Sequence, residues 1–132
     1  MITAFALLLD RCGLSHREAA DFLGIRPDTV KSLASGRLSA KPGHMAELRV
    51  LYARIERSAS ETLGVIAAQA PDEIELGLVS DDYEAQQLGW PCVGAQAAML
   101  GIVAAKAAAP VRIVPRGVTV ATAAAVEPHI AS

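Results

Sequence analysis

From Thr3 onward, hydrophobic residues recur at the three- and four-residue spacing of helices, broken at intervals by glycine and proline. Phe5, Leu8 and Leu9 make the first apolar side, with Thr3 as its cap, a run to about Cys12, and Gly13 as its stop. Ser15 with Glu18 three residues on forms a capping box, so a second helix begins there. Ala19, Ala20 and Leu23 supply its apolar side, and Gly24 permits the left-handed turn that ends it. Ile25 then points inward, and Pro27 opens a third helix at the position where a missing N–H costs nothing. In that helix Val30 and Leu33 face the core, which leaves Arg26, Asp28, Thr29, Lys31, Ser32 and Ser35 toward solvent, and Gly36 closes it. After a short loop over 38–41, Pro42 opens a fourth helix that can run to about 70, because Pro71 stops it. Leu48, Leu51 or Tyr52, Ile55, Ala59, Thr62 or Leu63, and Ile66 recur along it at near-heptad spacing, opposite Arg49, Glu56, Arg57 and Glu61. Three short helices cannot cover so long a stripe, so its far half should meet a second domain or a second chain. The alternative is a core stripe interrupted near Gly64.

The pattern changes after Pro71-Asp72. Residues 73–79 alternate polar and apolar, which predicts a short strand. Ser80 or Asp81 caps a helical turn through Gln87, ended by Gly89. Residues 91–109 form a helix with Val93, Ala97, Leu100 and Ala104 on its apolar side. Gly94, Ala98, Gly101 and Ala105 give it a second face of very small residues, which lets another helix approach closely. Pro110 stops it, and residues 111–115 read as a second strand able to pair with the first. Residues 118–120 can extend a strand, and the last several residues should be loose. The expected fold is therefore mainly α with a small α+β carboxy-terminal part, divided into domains at 1–58 and 59–132.

Charge sharpens that division. The 132-residue chain has a net charge of −2, yet residues 1–58 hold nine basic and six acidic side chains, a balance of +3. Residues 59–132 hold three basic and eight acidic ones, a balance of −5. Positive charge thus sits with the first helices, and the acidic half should face away from any polyanion. Hydrophobic residues reach 52%, but aromatics only 4%, so the alanine-rich chain buries little area per residue and oligomerisation would help it. The most apolar run, 93–109, contains Gln96 and Lys106 and reads as a buried interface helix rather than a membrane span. Residues 1–9 lack a basic n-region and cleavage site, so no secretion signal is expected. Cys12 and Cys92 have no metal-ligand spacing, as suits reduced cytoplasmic thiols.

The run over 15–37 resembles the phage-repressor (Cro/cI, XRE-like) helix-turn-helix family, matching it at Ser15, Ala19, Leu23-Gly24-Ile25, Thr29-Val30 and Gly36. It departs at His16, where glutamine is common, and at Leu33-Ala34, where Trp-Glu is common. The chain also resembles anti-CRISPR-associated (Aca) autorepressors, in Ser35-Gly36-Arg37 with Ser39-Ala40-Lys41-Pro42 before a long helix, and in Leu88-Gly89-Trp90 before a later one. The resemblance implies a lambda-repressor-like amino-terminal domain of four or five helices, a carboxy-terminal dimerisation domain, and a repressor of an inverted-repeat operator in duplex DNA.

On that reading the third helix is the recognition helix in a major groove. His16 and Arg17, at a helix amino end, and Arg37 and Lys41, flanking the recognition helix, are phosphate contacts. His16 is equally readable as a neutral surface residue. Arg26, Asp28, Thr29, Lys31, Ser32 and Ser35 are the candidates for base edges, with Pro27 contributing shape. Asp28 and Thr29 have a plainer alternative, satisfying free amides in the first helical turn. Dimerisation is assigned to Ile66, Trp90, Gly94, Ala98, Gly101 and Ala105.

Other classes have weaker support. His16, His44 and His129 are scattered, no phosphate-cradling glycine loop or nucleophile elbow occurs, and no enzyme, cofactor or metal is expected. Asp81, Asp82 and Glu84 can bind a cation but read more simply as a solvated helix cap. Cys92 near a helix start has no partner base placed for it. The competing reading is an antitoxin-type protein that binds a toxin partner through its carboxy-terminal half.

Overall fold

A computed structural model of the chain describes residues 2–118 and 125–126. The chain divides into two units, Met1–Ala53 and Arg54–Ser132, so the division falls inside the longest helix.

In the first unit Thr3 caps α1 (Ala4–Arg11), its hydroxyl oxygen accepting from the Ala6 amide at 3.0 Å. The same hydroxyl donates to the Ala34 carbonyl at 2.9 Å, tying the start of α1 to the end of α3 (Pro27–Ser35). The capping box forms around α2 (His16–Leu23): Glu18 N–H donates to Ser15 Oγ and Ser15 N–H to Glu18 Oε1. Gly24 ends α2 at φ +69 and Gly36 ends α3 at φ +86, conformations that cost a side-chain-bearing residue about 1–2 kcal/mol. Phe5, Leu9, Ala19, Ala20, Leu23, Val30 and Leu33 are buried, joined by Leu48 and Leu51 from the first half of α4 (Pro42–Gln69). Ile25 is half-buried.

The second unit begins within α4. Ile55, Ala59, Thr62 and Ile66 continue the stripe without a break at Gly64, and Thr62 donates to the Ser58 carbonyl at 2.9 Å. Leu51 and Thr62 take the inward positions that the pattern left shared with Tyr52 and Leu63. β1 (Ile74–Leu78) is followed by α5 (Asp82–Gln87), α6 (Val93–Lys106) and β2 (Val111–Pro115). β1 and β2 run parallel, with Ile74 opposite Val111 and Leu78 opposite Pro115. β3 (Ala125–Val126) pairs parallel to the other side of β1, giving the order β2-β1-β3. A parallel pair needs a long crossover, and the two helices between β1 and β2 provide it. The chain is thus mainly helical with a small parallel sheet.

Two sequence expectations need correction. Val118 closes a 3-10 turn (Arg116–Val118) instead of extending a strand. Thr119 and Val120 lie outside the described residues, as does the tail expected to be loose except for β3. The inward face of α6 consists of Ala95, Gln96, Met99, Leu100 and Val103, so of the expected apolar side only Leu100 is buried. Ala97 and Ala104 are exposed, and Val93 is half-buried. Gln96 accounts for the rotation: its Oε1 accepts from Val79 N–H at 2.9 Å and its Nε2 donates to the Gly77 carbonyl at 3.2 Å. Those bonds satisfy backbone groups at the end of β1 and draw a polar side chain into the interior.

Candidate functional site

Glycine in the left-handed conformation at position 24 turns the chain between α2 and α3, and the buried Val30 and Leu33 anchor α3. What remains outward on α3 is polar. Arg26 occupies the position before its first turn without making a side-chain cap, and Pro27 opens the helix. Arg26, Pro27, Asp28, Lys31 and Ser35 are exposed, while Thr29 and Ser32 are half-buried. Asp28, Lys31 or Ser32, and Ser35 follow one another at three- to four-residue intervals, so they share a face. Ser35 Oγ donates back to the Ser32 carbonyl at 3.1 Å. Asp28 and Thr29 make no side-chain hydrogen bond among the described residues, so the first-turn amides do not occupy them.

His16 and Arg17 are exposed in the first turn of α2. Arg37 follows the Gly36 turn, and Lys41, also exposed, precedes α4 and accepts through its carbonyl from His44 N–H at 3.1 Å. Among the described residues the ion pairs join Arg112 to Glu73 (3.7 Å) and to Glu75, and Arg116 to Glu84 (3.7 Å). None involves a cation of the first unit, so Arg17, Arg26, Lys31, Arg37 and Lys41 carry charge not cancelled by a contacting carboxylate.

The residues assigned to dimerisation are not brought together as one surface. Ile66 and Trp90 are buried within the chain, at 6% and 1% exposure, so neither offers its side chain to a second copy. Trp90 lies beneath the Arg54 guanidinium, 5.6 Å from the ring centroid, and Arg54 also donates to the Gly89 carbonyl at 2.6 Å. Gly94 and Ala98 are half-exposed, and Gly101 and Ala105 exposed. Pattern reading missed an open apolar groove of about 240 Å³ lined by Leu78, Ala97, Leu100, Gly101, Ala104 and Ile113. The helical pattern gives Ala97, Leu100 and Ala104 as the apolar side of α6, but as its buried side rather than as the wall of a groove shared with Ile113.

The acidic group on α5 is occupied by caps. Asp81 Oδ1 accepts from Glu84 N–H at 2.8 Å, Glu84 Oε1 from Ser80 N–H at 2.8 Å, and Asp82 Oδ1 from Val93 N–H at 2.9 Å. These carboxylates hold the starts of two helices. Cys12 and Cys92 are both buried. No helix among the described residues is long and apolar enough to cross a membrane. Comparison with protein-family models, with curated proteins and with solved structures found no match.

Proposed function

We propose that this chain is a sequence-specific DNA-binding transcriptional regulator, a homodimeric repressor that reads an inverted-repeat operator with α3. The observation that carries the reading is the outward polar row of α3, set behind the Gly24 turn, with Lys31 and the preceding Arg26 in no ion pair among the described residues. A helix anchored by two buried apolar residues, opened by Pro27 and closed by the Gly36 turn, is a stiff rod. Its width suits a major groove about 12 Å across. Within this proposal Arg26 and Lys31 donate to guanine, Asp28 accepts from the cytosine amino group, and the Thr29 methyl meets thymine. His16, Arg17, Arg37 and Lys41 neutralise phosphates, the α2 amino end adding its free amides.

Two substitutions separate these roles. Lys31→Ala should cost about 1–3 kcal/mol on the preferred site and relax preference at one base pair. Arg37→Ala should weaken binding on all sequences and reduce the salt slope by about 1. Fluorescence anisotropy on specific and random duplexes across a salt series reads both. Equal losses on all duplexes for both variants would remove base reading from α3.

A further inference from the structure

The two ends of α3 are held by different means. Its start follows the Gly24 turn, and Val30 and Leu33 along its inner side are buried. At its far end the last carbonyls have no partner within the helix and must find one outside it. Ser32 accepts from Leu38 N–H at 3.1 Å and from the Ser35 hydroxyl, and Leu33 accepts from Gly36 N–H at 3.3 Å. Those bonds are local. The Ala34 carbonyl instead accepts from the Thr3 hydroxyl at 2.9 Å, across 31 positions of sequence. Among the described residues no other hydrogen bond joins α1 or its cap to α3. Thr3 and Ala34 are both half-buried, so water competes only in part for this bond.

We propose that Thr3 is a positioning residue for α3: its hydroxyl fixes the angle at which that helix meets the bases, acting through Ala34 and not by contact with DNA. The inference rests on the regulator reading and deepens it. Nine residues of helix span about 13 Å, so a swing of about 10° at the Gly24 turn moves the far end by about 2 Å. Apolar contacts such as those of Val30 and Leu33 are non-directional and tolerate a slide of that kind. A hydrogen bond holds over only about half an ångström of distance and does not. Lys31, Ser32 and Ser35 lie toward the far end, where the displacement is greatest, and Arg26 and Asp28 lie near the pivot.

The hydroxyl has two tasks that substitution can separate. Its oxygen accepts from Ala6 N–H at 3.0 Å, which caps α1, and its hydrogen goes to the Ala34 carbonyl. Thr3→Ser keeps both. Thr3→Asp keeps the cap, since a carboxylate accepts, but has no proton to donate. Thr3→Val keeps neither. The tie can bias α3 by no more than its own net contribution, which bounds the effect at about twofold to tenfold. Loss of folded protein weakens specific and random duplexes alike and leaves their ratio unchanged. A displaced α3 loses base contacts while the phosphate contacts of α2 persist, so the ratio falls.

Fluorescence anisotropy on the full chain, with a duplex enriched from a random pool and with an unselected one, gives the ratio of the two affinities for wild type and the three variants. Melting curves beside each report how much of the chain is folded. The ratio should hold in Thr3→Ser and fall about twofold to tenfold in Thr3→Asp and Thr3→Val. The added charge of Thr3→Asp repels every duplex equally and cancels in the ratio. The loss should fall mainly at the base pair that Lys31→Ala relaxes, and not at the one that Arg26→Ala relaxes. A Thr3→Asp ratio equal to that of wild type overturns the proposal, because the threonine then serves α1 alone. A Thr3→Ser ratio as low as that of Thr3→Val overturns it equally, because the hydroxyl is then not what acts. A wild type that enriches no duplex removes the regulator reading and this role with it. A discriminating wild type whose ratio survives Thr3→Asp removes this role only.

Discussion

Cys12 shows how a single side chain couples burial to pH. Its side chain is fully buried, its Sγ donates to the Leu48 carbonyl at 3.5 Å, and desolvation pushes its pKa from 9.0 up to about 11. Raising the folded-state value favours the folded chain while the thiol is protonated. That stability is complete below pH 9 and is lost as pH rises through about 11, because the unfolded thiol ionises first. Urea unfolding between pH 8 and pH 11 should therefore show wild type losing stability more steeply than Cys12→Ala, and parallel curves would contradict the assignment. Much at this scale was legible beforehand: Thr3, Ser15, Glu18, Gly24, Pro27 and Gly36 all act through local backbone chemistry, which sequence encodes directly. Whether Asp28 and Thr29 served the helix start or stood free was not legible, since both uses favour the same residue types.

At the scale of elements, boundaries were easier to read than faces. The ends of α1 to α4 follow from caps, glycines and prolines, and the stripe of α4 was readable because Leu48, Ile55 and Ile66 contrast with Arg49, Glu56 and Glu61. α6 lacks such contrast: nearly every residue before Lys106 is small or apolar, so several rotations of the helix look equally good. The true one is fixed by Gln96 at the end of β1, a tertiary hydrogen bond that helical periodicity cannot foresee. Gln96→Leu should leave the Val79 N–H and Gly77 carbonyl buried without partners, at a cost of about 2–3 kcal/mol in chemical denaturation. A loss below about 1 kcal/mol would mean that the amide does not hold the helix in place. Parallel pairing of β1 and β2 was likewise beyond the pattern, because alternation within a short strand does not encode the direction of its neighbour.

The whole molecule joins two units of opposite charge character through one continuous helix, whose length was legible from Pro42 and Pro71. Among the described residues the first carries cations outside any ion pair and an outward polar helix, and the second carries the ion pairs, the acidic caps and the uncharged groove. That separation leaves nine of the fourteen carboxylates in a different unit from the proposed DNA contacts. Selection of bound duplexes from a random pool, at stated salt, tests the central claim most directly. The expected result is an enriched inverted repeat with half-sites about one helical turn, roughly 34 Å, apart, its preference relaxed at one base pair of each half-site on Lys31→Ala. Recovery of no common sequence, with wild type and Lys31→Ala retaining the same pool, would contradict it.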